Sequence, residues 1–264
     1  MIRFIIAAAL LAGGLTAGGE TPREFFDLSS LLITVGGALS VALMTFSWEQ
    51  IRDLARLVWR LQAGRDENLA GMTDELRRLA RLYHLNGPRG LESQERAIAD
   101  PFLRRGVMML IDVESEEEIR AKLESETLLL AGRYAMGEQI LLTLGKLLPA
   151  FGLIGTLIGL VLLLKQIPGA EPQGLIAAFS LAILTTLYGA LAANVIVLPV
   201  AARLQSAWQA REAVMFLAAE WVVSMARGDA PGSIERRLGA LNAGERARKS
   251  GAPSWRRTAL FEER

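Results

Sequence analysis

Two long apolar stretches, from about Ile140 to Leu164 and from about Gly174 to Ala202, contain no aspartate, glutamate or histidine. A bilayer core of about 30 Å takes about 20 helical residues to cross, so each stretch is long enough to span a membrane. Two shorter apolar segments, from about Ile2 to Gly18 and from about Ser30 to Phe46, sit near the lower length limit. A short polar link joins them, and together they read as a helical hairpin. Arg3, the apolar run after it and Leu15-Thr16-Ala17 also fit a cleaved signal peptide, the alternative for the first segment. Composition agrees with a segregated chain, since 52% of residues are apolar and 22% charged and the charges collect between and after the apolar segments. The fold class this predicts is all-α: an integral membrane protein with four transmembrane helices and a helical cytoplasmic domain between spans two and three.

Arginine placement sets the orientation, because positive residues beside spans stay in the cytoplasm. The link from Gly19 to Ser29 carries Glu20, Glu24 and Asp27 against Arg23, whereas Arg52, Arg56 and Arg60 follow span two and the tail beyond Leu204 is basic. Both termini are therefore expected in the cytoplasm. The organisation predicted is a transmembrane hairpin (1–47), a cytoplasmic helical domain (48–139), spans three and four (140–204), a cytoplasmic helical extension (205–241) and a basic, flexible tail (242–264).

Within the polar block, Leu54, Leu57, Val58 and Leu61 recur at helical spacing, as do Leu76, Leu79, Leu82 and Tyr83. Asn86-Gly87-Pro88 ends one helix, and Asp100-Pro101 marks the next boundary. Ser115 followed by Glu118 is a capping box, with Glu116 and Glu117 favourably placed against the helix dipole. No strong breaker follows before Pro149, so one helix is expected to run from Ser115 through the third span. The fourth span continues past Trp208, Phe216 and Trp221 to about Arg227, where Gly228 to Gly232 stops it. A short helix from Ser233 to Leu241 follows.

Polar groups inside a membrane are costly, so those within the spans carry information. Gly152, Thr156 and Gly159 form one narrow small-residue face of span three, and Ala182, Thr186 and Ala190 repeat the pattern in span four. Such faces let two helices approach closely. Packing alone is one reading of the threonines, since each can bond to its preceding turn; lining a path or ligating a dehydrated cation is the other. With no acid in any span, nothing here binds and releases a proton in the membrane interior, so any ion path requires a carboxylate from a partner. Pro149 and Pro199 each remove a helix hydrogen bond and favour a bend or hinge.

Several functions are disfavoured. A net charge of +1 gives no electrostatic case for nucleic acid, and the absence of cysteine removes disulfides and thiolate metal sites. No metalloprotease, nucleophile-elbow or phosphate-loop motif occurs, so no catalytic residue, metal or cofactor is expected. His84 reads as a surface residue and Glu116 to Glu118 as a helix cap.

Pro-Ala-Phe-Gly-Leu-Ile-Gly-Thr-Leu-Ile-Gly-Leu from Pro149, Leu-Thr-Thr-Leu-Tyr-Gly-Ala-Leu-Ala-Ala-Asn from Leu184, and Leu-Pro-Val-Ala ending at Ala201 resemble the MotA/PomA branch of the MotA/TolQ/ExbB superfamily. Phe25-Phe26-Asp27-Leu28-Ser29-Ser30, Gly36-Gly37 and Asp100-Pro101-Phe102-Leu103 extend the resemblance over about residues 1 to 241. It implies a flagellar stator subunit of the bacterial inner membrane. Five copies would surround two copies of a MotB/PomB-like single-span subunit bearing an aspartate, and inward H+ or Na+ flow would drive rotation against a rotor protein of the switch complex. By motif, Thr156, Thr185 and Thr186 match the family's ion-path threonines, and Pro149 and Pro199 its two functional prolines.

One departure touches the load. The charged rotor-contact positions of flagellar members fall on Asn86 and Gln94, with Arg89, Glu92, Glu95 and Arg96 as nearby substitutes. A related motor with a non-flagellar load, whether gliding or ExbB/TolQ-like transduction, and a non-conducting membrane scaffold are the alternatives.

Overall fold

A computed structural model describes residues 25–62, 69–166 and 172–229, and every regular element among them is helical. The first apolar segment, the helix expected from Ser233 and the basic tail lie outside the described residues. Helix α1 (Leu28–Thr45) contains a π-helical segment, Leu32–Gly36. It is followed by α2 (Trp48–Gln62), α3 (Leu69–Asn86), α4 (Pro88–Glu92), a 3-10 turn (Glu95–Ala97) and α5 (Pro101–Ile111). Helix α6 (Glu116–Gln166) passes unbroken through Pro149. Helix α7 is Pro172–Leu191, a π-helical segment Ala192–Val197, and Leu198–Ala226. Among the described residues α1, α6 and α7 are long and apolar enough to cross a membrane.

The helix boundaries follow from their local chemistry. Gly87 at φ +62° ends α3, and Pro88, which has no N–H to satisfy, starts α4. The Asp100 carboxylate accepts from the Leu103 N–H at 2.8 Å, capping α5. At α6 the Ser115 N–H donates to the Glu118 carboxylate at 3.1 Å while the Glu118 N–H donates back to the Ser115 hydroxyl at 3.3 Å. The capping box is closed in both directions. Helix α7 ends where Gly228 takes φ +75°, with Asp229 N–H on the Ser224 carbonyl and Gly228 N–H on that of Met225.

The chain forms two compact units. One holds α1, α2, the Gly132-to-Gln166 part of α6 and α7 up to Ala207. Its core includes Ala42, Phe46, Leu54, Ile140, Leu141, Ala201 and Leu204. The other holds α3 to α5, the first part of α6 and the last part of α7, around Phe102, Leu103, Ile119, Leu123, Met215 and Trp221. The sequence boundaries at 48 and 139 are displaced, with α2 grouping with the spans. The reason is its apolar stripe: Leu54 and Leu57 reach the bare α-carbon of Gly137 and join the cluster at the base of the spans.

Candidate functional site

Within the membrane unit, α6 and α7 run side by side at backbone contact, and small residues permit it. A β-carbon at Gly155 would lie 2.5 Å from the Thr185 side chain, one at Gly159 2.7 Å from the Ala182 side chain, and one at Gly189 2.5 Å from the Leu148 carbonyl oxygen. Real β-carbons do not come so close, so these positions accept glycine alone unless the helices part. Gly152 and Gly159, predicted for the small face of span three, build the seam together with Gly155, which was not predicted, facing Ala182, Thr185, Thr186 and Gly189.

The three sequence-predicted threonines divide. Thr156 and Thr186 meet across the seam with hydroxyl oxygens 2.5 Å apart. Each also reaches the carbonyls of Gly152 and Ala182, at 3.1 and 3.1 Å from Thr156 and at 3.4 and 3.3 Å from Thr186. Four oxygens therefore converge, with two hydroxyl protons to share among them. Thr186 is exposed and Thr156 half-buried, so the pair opens to the outside of the single chain. Thr185, in contrast, is fully enclosed: its hydroxyl donates to the Leu181 carbonyl at 2.9 Å, and its methyl and hydroxyl lie against Gly155.

Thr185 is instead tied from behind by α1. The buried Thr34 hydroxyl, in the π-helical segment of α1, donates to the Thr185 carbonyl at 3.2 Å. About one turn nearer the seam's base, the Phe151 ring occupies the space a side chain at Gly37 would need. The Tyr188 hydroxyl donates to the Phe25 carbonyl at 2.5 Å and accepts from the Asp27 N–H at 2.8 Å. These contacts fix the seam from the side opposite the Thr156–Thr186 pair. Sequence reading gave no role to Thr34 or Tyr188, which share their apolar runs with other hydroxyl residues.

The two prolines sit at different levels of the seam, since Leu148, the neighbour of Pro149, faces Gly189, well before Pro199 in α7. Pro149 leaves the Gly145 carbonyl without its helical donor, and Leu198, the neighbour of Pro199, packs on Gly145 with its side chain 2.9 Å from where a β-carbon would be. The π-helical segment Ala192–Val197 ends two residues before Pro199, where the widened turn relieves the clash between the proline ring and the preceding carbonyl. Helix α6 shows no such change at Pro149.

The charges nominated in the polar block lie in the other unit. Leu91 and Ile98 are buried and anchor α4 and the 3-10 turn, which leaves Arg89, Glu92 and Arg96 exposed and Glu95 half-buried. Among the described residues none of the four enters an ion pair within the chain. Gln94 accepts from the Arg78 guanidinium at 3.2 Å. In the same unit Glu116 receives Arg227 at 2.5 Å and Arg120 at 3.3 Å, and Asp100 pairs with Arg211. The Arg227 guanidinium, with Arg120 behind it, holds the Glu116 carboxyl down at about 2.

Comparison with known proteins bears on this arrangement. The MotA/TolQ/ExbB proton channel family model matches residues 94–215. The chemotaxis protein PomA of Vibrio alginolyticus is 31% identical over 248 residues, 92% of each chain. Among solved structures, C. jejuni MotAB superposes with a TM-score of 0.82 at 25% identity, covering 91% of this chain and 93% of that one. The flagellar MotAB stator complex from Bacillus subtilis gives 0.79 at 25% identity, covering 90% and 93%.

Proposed function

Because the chain belongs to the MotA/TolQ/ExbB proton channel family, we infer that it is the channel-forming subunit of an ion-driven stator in the bacterial inner membrane. It works with a MotB/PomB-like single-span subunit, five copies around two, and couples inward flow of protons or sodium ions to rotation and torque. Both termini face the cytoplasm. The observation that carries this reading is the outward-opening Thr156–Thr186 pair on a seam with no acid in its membrane part. Hydroxyl and carbonyl oxygens can pass a cation along or hold it briefly, but they do not titrate near neutral pH. The binding carboxylate therefore belongs to the partner. One charge crossing 100 mV supplies about 2.3 kcal/mol, which suffices for a step of a ring built on rigid helices.

The load is a flagellar rotor protein, met through Arg89, Glu92, Glu95 and Arg96, which enter no ion pair among the described residues. A second reading, a motor of the same family with another load, is favoured by neutral Asn86 and by Gln94 being occupied with Arg78.

Replacing Thr186 with leucine tests the channel reading. The variant is expected to assemble with the co-expressed partner yet lose ion-dependent motility, while Thr186→Ser keeps most of it. Full motility of Thr186→Leu in an assembled complex sinks the ion-path role and leaves the threonines as packing groups.

A further inference from the structure

We propose that α2 is a membrane-interface helix whose outer face binds acidic phospholipid headgroups. The helix starts three residues after α1 ends, and its inner stripe of Ile51, Leu54, Leu57, Val58 and Leu61 is committed to the cluster containing Ile140 and Leu204. That cluster lies where the apolar run of α6 begins. Helix α2 is thus held at the level at which the spans emerge from the bilayer.

Its outer face has the composition that level selects. Trp48 and Trp59 are 69% and 75% exposed. At about 100° per residue they fall within about 20° of each other on the helix surface, with Arg52 and Arg56 the next groups round. Large exposed indoles are unfavourable in water but suit the headgroup layer, where the ring is half buried and the N–H is solvated. Exposed apolar side chains also precede the stripe along the chain, since Leu43 and Met44 at the end of the candidate span α1 are 54% and 87% exposed.

Charge decides which lipid fits. Arg52, Arg56 and Arg60 form a ridge beside the tryptophans, and all three are exposed. Glu49 lies 4.0 Å from Arg52, and Asp53 lies 2.7 Å from Arg56. By helical angle Arg52 and Arg56 lie nearest the tryptophans, with Glu49, Arg60 and Asp53 successively farther round. Exposed pairs at this spacing are weak and exchange readily for a phosphate. Arg60 has no ion pair among the described residues. A row of arginines next to indoles matches phosphate oxygens above acyl chains.

The test uses the full chain, purified with its partner subunit, in nanodiscs of mixed phosphatidylcholine and phosphatidylglycerol. The lipid retained by the protein is quantified by native mass spectrometry. Wild type is expected to enrich phosphatidylglycerol, and to lose that preference as ionic strength rises. The combined variant Arg52→Gln, Arg56→Gln, Arg60→Gln is expected to lower the enrichment by about fivefold or more, and the matching lysine variant to keep it. Phosphatidylcholine brominated high on its acyl chains is expected to quench Trp59, read as the difference from Trp59→Phe. An enrichment unchanged by salt or by the glutamine variant overturns the proposal. So does an unquenched Trp59, which leaves the stripe to a second copy or to water. None of these readouts requires ion flow, so the proposal stands or falls apart from the stator reading.

Discussion

The two units of this chain solve helix association by opposite means. In the membrane unit the α6–α7 seam is made of what is missing: glycines let the backbones touch, and the remaining polarity is hydroxyl on carbonyl. In the other unit Trp221, Phe102, Leu103 and Met215 fill a core, and ion pairs among Asp100, Arg211, Glu116, Arg120, Arg227 and Glu220 bind its margins. The contrast follows from solvent. Lipid gives two apolar helices no hydrophobic reason to associate, so close van der Waals packing has to do it. Water gives that reason freely, and large side chains exploit it. Surfaces of opposite chemistry should then fail under opposite substitutions.

Gly155→Leu strikes the seam where it is tightest, because the new side chain meets the fully enclosed Thr185. The cost exceeds about 3 kcal/mol, since neither helix can yield without separating Thr156 from Thr186. No intact complex with the partner is expected on size-exclusion chromatography of detergent extracts. Recovery of a normal, motile complex shows that the seam does not depend on backbone contact.

In the other unit the largest loss comes from a charge. Asp100 both caps α5 and pairs with Arg211, and the two side chains are only 14% and 13% exposed. Asp100→Ala takes the carboxylate away from a nearly buried guanidinium and uncaps the helix, at about 3 kcal/mol. Hydrogen exchange should report it as faster exchange of α5 amides. Membrane-unit amides that exchange unchanged would keep the effect local to this unit.

How much of this was legible differs between the units for the same physical reason. Seam glycines and threonines are read from spacing, because in a membrane smallness itself is the signal; Gly152, Thr156 and Gly159 were found that way, and the boundaries at Gly87-Pro88, Asp100-Pro101 and Ser115 from their breakers and caps, whereas the break between α2 and α3 was not. What spacing could not separate was Thr185 from Thr186. They are adjacent, identical in chemistry, and about 100° apart on the helix, enough to put one inside and the other out. Helix α2 was assigned to the polar block from its charges, whereas its apolar stripe binds it to the spans. The pairs of Glu116 with Arg227 and of Asp100 with Arg211 join residues 111 positions apart, and one sequence holds no local trace of such partners.

The seam argument has an internal control on the same helix. Gly132 in α6 is exposed, and a β-carbon there would meet nothing within 4 Å. Gly132→Ala should therefore stabilise the protein by about 1 kcal/mol through helix propensity alone, the reverse in sign of Gly155→Leu. Thermal unfolding of the purified complex checks it. A destabilised Gly132→Ala would mean that glycines along α6 act through something other than the space around them.

The smallest effect tests the ionic side of the contrast through pH. Arg227 and Arg120 hold the Glu116 carboxyl at about 2, against an ordinary 4.5. The depressed value means that the folded unit favours the ionised form, so the contribution is complete above about 4.5 and disappears as pH falls toward about 2. The group lies at the surface, where water and salt weaken any pair, so the gain at neutral pH is modest. Glu116→Gln removes the charge while keeping a hydrogen-bonding side chain of the same length. Wild type should melt above the variant at pH 7, by a margin that shrinks as pH drops below about 4.5 and as salt rises. Comparing the two proteins at each pH cancels the other carboxylates, including Glu118, whose own value is lowered by Ser115 at the capping box. A margin independent of pH and salt would assign Glu116 a packing role, and the margins of this unit would then be held as the membrane seam is, by shape.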